Sequence, residues 1–211
     1  MVKMMSSFNP RQRRASPAAQ ITIALYRVSQ AIGHLFRARG TAQQLSPAQI
    51  QALLFLRYAR PGVRTIGGLA ERLASSYATT SGVVDALEDK QLVERHPLPE
   101  DQRTVTLRLT NSGQSKTDGL EDVLNDIEAV IDELPPEEQQ TLIHAMQTIV
   151  RRLQARGQVQ VYEMCWGCQF FQQNVHPNQP AAPHHCAFVD APLSEPNTYL
   201  ECPDFSPVDP S

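Results

Sequence analysis

The chain has 211 residues, 41% of them apolar and 19% charged, with a formal net charge of −3. That length leaves room for one or two domains and a sizeable core. No run of about 18 apolar residues exists, which excludes a helical membrane span. The basic amino terminus lacks a following apolar stretch, which excludes a signal peptide, so a cytoplasmic protein is expected.

The net charge hides a polarity. Residues 1–40 hold seven Lys/Arg and no acid, residues 57–116 hold nine against seven, and residues 117–211 hold three against fifteen. One end of the molecule is therefore suited to phosphate and the other is turned away from it.

Residues 1–16 read as a disordered basic arm, whose Arg11, Arg13 and Arg14 either track a polyanion or stay solvated with no role. From Pro17 to about Arg39, apolar residues at Ile21, Leu25, Val28, Ile32 and Leu35 predict a helix. Ser46-Pro47 then gives an N-cap and a proline in the first turn, opening a second helix with Ile50, Leu53, Leu54 and Leu56 as its core face. Pro61-Gly62 ends it.

The most informative stretch runs from Ile66 to Leu109. Ile66, Leu69, Ala70 and Leu73 mark a short helix, with a break at Ala74-Ser75. Ser76 is placed to cap the next helix, which runs to about Lys90 with Val83, Val84 and Leu87 inward. Two strand-like runs, Leu92–His96 and Thr104–Leu109, flank a turn-rich PLPEDQR. Two angled helices followed by a hairpin make a winged helix-turn-helix.

The second helix of that unit would expose Ser76, Tyr77, Thr79, Thr80 and Ser81 in its first two turns. All five bear hydroxyls able to meet phosphate oxygens or base edges, next to a helix N-terminus that favours phosphate. At the hairpin tip, Asp101 is spaced to orient Arg103 so that the guanidinium projects forward into a minor groove.

LAERL at Leu69–Leu73, Ser76, Thr79, Ser81, VDALEDKQLVER at Val84–Arg95, PEDQR at Pro99–Arg103 and LTNSG at Leu109–Gly113 together resemble the MarR-type transcriptional regulators, with unbroken spacing. The resemblance covers about residues 17–156. It implies a homodimer on a pseudo-palindromic operator, usually as a repressor, with Ser76–Lys90 as the recognition helix and Arg103 as a minor-groove contact. It also implies a small-molecule effector between the dimer helices and the DNA lobe. Where many relatives carry Val and Arg, this chain has Thr80 and Gly82, so operator sequence does not carry over. Gln91 stands where a terminal glycine is common, which predicts a frayed or differently closed helix end.

After the wing, Thr110 is expected to cap a long helix to about Glu133, with Leu120, Val123, Leu124, Ile127 and Ile131 on one face. Leu134-Pro135-Pro136 breaks it, and a last helix carries Leu142, Ile143, Met146, Ile149, Val150 and Leu153. Nothing local covers these faces, which suggests a dimer seam with the first long helix. The fold class is therefore mainly α with a small β-hairpin wing. It comprises a DNA-binding lobe at about 46–110, dimerisation helices at 17–39 and 111–156, and a loop-rich tail at 157–211.

That tail holds eight of the sixteen prolines and all four cysteines, spaced C-x2-C-x17-C-x15-C at Cys165, Cys168, Cys186 and Cys202. In a cytoplasmic protein such clustering argues for a metal or redox site rather than disulfides. One metal centre on four cysteines is expected, with zinc placed first. An iron–sulfur cluster stays open, since Cys202-Pro203 is similar to the Cys-Pro that ends many cluster motifs. His185 adjoins Cys186 and is either a substitute ligand or donor, or simply a packing or surface residue, as are His176 and His184. The tail aromatics Trp166, Phe170, Phe171, Phe188, Tyr199 and Phe205 are expected to wall the site. CWGC has the spacing of a thioredoxin-like dithiol but lacks the strand and helix around it. No nucleophile–His–acid set, phosphate-binding glycine loop or HExxH motif supports an enzyme. Three readings stay open: a repressor whose tail senses metal, redox state or oxygen; a small-molecule-responsive repressor with a structural tail; and a winged-helix interaction module without DNA binding.

Overall fold

The computed structural model describes residues 6–97, 105–159, 164–198, 201–202 and 204–208. The wing tip, including Asp101 and Arg103, and Tyr199 lie outside the described residues.

Local signals set most of the helices. Asn9 caps a one-turn helix α1 (Pro10–Arg13), so part of the arm expected to be disordered is ordered, and Phe8 packs edge-on against Tyr26 at 5.5 Å. Ser16 caps α2 (Pro17–Gln43), which runs one turn past its predicted end and closes with Gln44 in the left-handed region. Ser46 and Gln49 form a reciprocal capping box at the start of α3 (Pro47–Tyr58), satisfying two end amides at once. Thr65 caps α4 (Ile66–Arg72) and Ser76 caps α5 (Tyr77–Asp89). Between them Ala74 takes φ 47°, the sharp turn that sets the two helices at an angle.

The wing strands β1 (Val93–Pro97) and β2 (Val105–Leu109) pair antiparallel from Val93↔Leu109 to Pro97↔Val105. A bridge between Thr65 and Thr106 ties the hairpin to the start of α4. The lobe's core is continuous: Ile50, Leu53 and Leu56 of α3 meet Leu69, Val84, Leu87 and Leu107, all essentially without solvent contact.

Gln91 does not leave the end of α5 frayed. It adopts φ 58° itself, and the Leu92 amide donates back to the Leu87 carbonyl at 2.9 Å, closing the helix as a glycine would. Thr110 then caps α6 (Asn111–Asp118), accepting from the Gly113 amide at 2.9 Å while its hydroxyl donates to Gln91.

The single helix expected from Thr110 to Glu133 is two. α6 stops at Asp118 and α7 spans Asn125–Asp132, with turns between. The cause is tertiary: Arg39 donates to the Gly119 carbonyl at 2.8 Å and pairs with Asp122 at 2.6 Å, pulling the chain off the helical path. Leu120 and Val123 enter the core there. The last helix α8 (Pro136–Gln154) follows. Val130 and Ile131 on α7, Leu142 and Ile143 on α8, and Ile21, Leu25 and Val28 on α2 are exposed in the single chain. Among the described residues no helix is long and apolar enough to cross a membrane.

The tail carries a small antiparallel sheet in the order β3 (Phe171–Gln172), β4 (His184–Cys186), β5 (Ala191–Leu193). It docks on α8. The Gln147 amide donates to the Thr198 carbonyl at 2.7 Å, and Arg151 stacks 4.0 Å from the centre of the Trp166 ring.

Candidate nucleic-acid interface and cysteine site

Ser76, Tyr77 and Thr79 are exposed on the first turn of α5, and Ser81 is half-buried beside them. The Ser76 hydroxyl accepts from the Thr79 amide at 3.1 Å and shares a 2.8 Å hydrogen bond with the Thr79 hydroxyl. The two oxygens thus form a fixed pair at the positive end of the helix, where end amides and dipole favour an anion. Gly82 is exposed on the same stretch, and a Cβ placed on it would meet nothing within 4 Å.

Thr80 corrects the expected set. It has no solvent exposure and lies one turn before Val84 on the buried face of α5. Four residues is close to one helical turn of 3.6, so Thr80 must point where Val84 points, into the core. Among the described residues its hydroxyl has no hydrogen-bond partner.

Most cations near this surface are engaged within the chain. Arg95 reaches back from β1 to Asp85 at 2.6 Å and to Glu88, and Lys90 donates to the Gln44 carbonyl at 2.6 Å and to Gln49 at 3.1 Å. Arg57 pairs with Asp118 at 3.1 Å, and Arg72 pairs with Glu201. Sequence reasoning missed these clamps because each joins residues far apart in the chain or on opposite sides of a turn. Arg108 is exposed on β2.

The four cysteines, spread over 38 residues of sequence, line one cavity of about 610 Å³ together with Phe170, Phe171, Phe188 and Gln147. No disulfide joins them. Cys165 and Cys168 sit on a 3₁₀ turn, Cys165–Gly167, in which the Cys168 amide donates to the Cys165 carbonyl at 3.0 Å. Cys186 ends β4, and Cys202 comes from the two-residue stretch 201–202. Burial pushes the Cys202 thiol above its ordinary value. The charges of Asp204, Cys168 and Cys186 push the same way, while a hydrogen bond from the Asp204 backbone pulls it down. Among the described residues no group of three or more His, Cys, Asp or Glu is arranged to hold a metal ion as it stands.

The histidines are occupied elsewhere. His184 is buried, sharing a 2.9 Å hydrogen bond with Glu195 and accepting from the Asn174 amide at 3.2 Å, which puts its proton on Nε2. It packs 5.2 Å from both Trp166 and Phe171. His185 hydrogen bonds to His176 at 3.1 Å and faces Asp190 at 3.2 Å. One further buried group was not visible in the sequence. Gln147 of α8 forms part of the cavity wall, and its side-chain oxygen is buried without a partner among the described residues.

A second cavity of about 700 Å³ lies between α2, α3 and α4 and the tail. Phe36, Phe55, Tyr58, Arg72, Glu201 and Cys202 are among its walls, so Cys202 borders both cavities.

The sequence pattern of the MarR family matches residues 43–104, the stretch holding α3, α4, α5 and the start of the wing. The HTH-type transcriptional repressor NicR of Pseudomonas putida is 32% identical over 104 residues, 45% of this chain and 66% of that protein. A MarR-family transcriptional regulator from Silicibacter pomeroyi has the same fold, with a TM-score of 0.56 at 22% identity over 64% of this chain and 91% of that one. The transcriptional repressor CouR, solved on a 23-mer DNA duplex, reaches a TM-score of 0.50 at 25% identity, covering 60% of this chain and 89% of its own. All three are named as transcriptional regulators or repressors, not enzymes. With the capped helix α5, the paired wing strands and the matched stretch in one unit, residues 43–104 carry the MarR-family pattern on a winged helix-turn-helix.

Proposed function

We propose that the protein is a dimeric DNA-binding repressor that sets α5 into a major groove and carries a metal centre on Cys165, Cys168, Cys186 and Cys202. The observation that carries the DNA reading is the exposed hydroxyl face of Ser76, Tyr77 and Thr79, with half-buried Ser81 beside them, at the capped N-terminus of α5. Support comes from NicR, a named repressor, and from CouR, solved with a DNA duplex. The dimer reading is supported by the exposed apolar residues of α2, α7 and α8, which a second copy would cover. Such a dimer sets two recognition helices about 34 Å apart on half-sites of a two-fold operator.

The metal reading rests on four thiols around one cavity. Thiolates gathered at one place are stabilised together by a cation, which is why such sites bind metals while losing protons. The donor set fits zinc or an iron–sulfur cluster, and in either case the thiolates must draw inward from their present places. The bound group would supply positive charge to the four sulfurs, with redox capacity added if it is a cluster. A small-molecule effector is the second reading for regulation, favoured by the 700 Å³ cavity between α2, α3, α4 and the tail, a size suited to such ligands.

The test is DNA binding by the purified full chain to a duplex from upstream of its own gene, at two salt concentrations. Salt-dependent binding is expected, with Thr79→Ala or Ser81→Ala shifting sequence preference and Arg103→Ala weakening all sequences. Absence of binding at low salt removes the DNA reading in favour of a protein-interaction module. Zinc, iron and acid-labile sulfide, measured on protein purified without oxygen, decide the metal; none of them bound removes the centre.

A further inference from the structure

We propose that Glu201 and Cys202 form a strap that transmits the state of the cysteine site to the helix-turn-helix through Arg72. The proposal rests on the four-cysteine metal reading above and adds how that site would act on DNA binding.

Cys202 borders the four-cysteine cavity, and Glu201, its chain neighbour, forms an ion pair with Arg72 in the last turn of α4. Glu201 and Cys202 share one planar peptide unit, with Cα atoms about 3.8 Å apart, so a shift of Cys202 that moves or turns that unit reaches Glu201 directly. Arg72 stands four residues before Ser76, the cap of the recognition helix, with only the tight turn at Ala74 between them. A second contact lies alongside: the Arg60 guanidinium is 5.7 Å from the centre of the Phe205 ring.

The rest of the tail is anchored to a different body. Gln147 holds the Thr198 carbonyl, and Arg151 contacts both Trp166 and Glu195. The tail therefore has a fixed side on α8 and, at Cys202, an attachment to the DNA lobe. As the cysteines stand, no three can hold an ion, so loading the site displaces some of them. With the tail body held on α8, a displacement of Cys202 is delivered to α4. The loaded state fixes α4 and is the tighter DNA binder. By linkage, DNA binding raises metal affinity by the same factor.

The pair is partly solvent-exposed, with side chains 32% and 50% accessible, which keeps the coupling small. A change in DNA affinity of about two- to fivefold is the scale that exposed pairs deliver.

The experiment uses the full chain purified without oxygen, its metal content measured, before and after a chelator. Fluorescence anisotropy on the upstream duplex gives DNA affinity, and amide hydrogen exchange across Ile66–Asp89 reports transmission independently of the operator. Wild type should weaken about two- to fivefold on stripping and lose protection in α4. Glu201→Gln and Arg72→Ala should keep the metal and lose that response, and the double variant should add nothing. If both variants keep the metal and the full response in affinity and exchange, the strap is wrong and the metal centre stands. If both lose the metal, the pair builds the site rather than reading it, and the strap is again wrong. If wild type binds no metal, both readings fall.

Discussion

Replacing Thr80 with valine should stabilise the protein and leave DNA binding alone. The residue has no solvent exposure, and its hydroxyl meets no partner among the groups around it. In the unfolded chain that hydroxyl is hydrated, so folding strips its water without compensation, at a cost of about 1–3 kcal/mol. Valine has nearly the same shape, the same branching at Cβ and a similar helix propensity, so neither packing nor backbone terms offset the gain. A stabilisation of about 1–2 kcal/mol is expected. Urea unfolding should show a higher midpoint at unchanged slope, and the melting temperature should rise by about 2–4 °C per kcal/mol in a chain of this size. Two outcomes would refute the reasoning. Equal or lower stability would mean that the hydroxyl has a partner. A tenfold loss of DNA affinity would mean that Thr80 faces the groove, reversing the helical phase assigned to α5.

Three further substitutions test the backbone. Gly82→Ala adds a methyl where nothing lies within 4 Å, so it should raise stability by about 0.5–1 kcal/mol in calorimetry; a decrease would show that the space is filled. Gln91→Gly relieves a left-handed φ of 58° that costs a side chain about 1 kcal/mol, and should raise the unfolding midpoint accordingly. Gly113→Ala places a Cβ 1.9 Å from the Leu92 carbonyl oxygen, which neither backbone can easily yield, so a loss of about 3 kcal/mol is expected. A loss under about 1 kcal/mol in denaturant titration would show that the contact between α6 and the Leu92 backbone opens without difficulty.

Much of the fold was legible because its signals are local. Ser46-Pro47, Ser76 and Thr110 each announce a helix through a side chain that caps its own next turn, and all three caps form. Hairpin strands alternate on a short period, and they pair close to the expected limits. The failures share a cause. The 110–133 helix has an adequate apolar stripe, but Arg39, some eighty residues earlier, takes the Gly119 carbonyl and Asp122 and breaks it. Thr80 has the hydroxyl of its exposed neighbours, but its four-residue spacing from Val84 puts it on the buried face of α5. At the cysteine site the spacing identified the thiols that meet around one cavity. It carried no sign of Gln147, which belongs to the preceding helix and reaches the tail only through the tertiary fold.

The charge polarity of the sequence suggested a basic face toward DNA, but the structure distributes that charge differently. Arg39, Arg57, Arg72 and Arg95 are each paired with carboxylates, and Lys90 is held by a carbonyl and an amide. These cations fix α4, α5 and α6 in place, and could meet phosphate only by exchanging a partner. Among the described residues of α4, α5 and the wing, what remains for the backbone of DNA is Arg108 on β2, the hydroxyls of α5 and its end amides, to which the sequence adds Arg103. Hydroxyls and amides carry no net charge and release few counterions. With Arg103 and Arg108 as the phosphate contacts of each subunit, the proposed dimer has four, so log affinity should fall with log salt at a slope of about −3 to −4. Anisotropy titrations between 50 and 200 mM salt measure it. A slope near −8 would show that the internal clamps open on DNA, and that the acidic partners of those arginines, Asp85 and Glu88 among them, are released as phosphate takes their place.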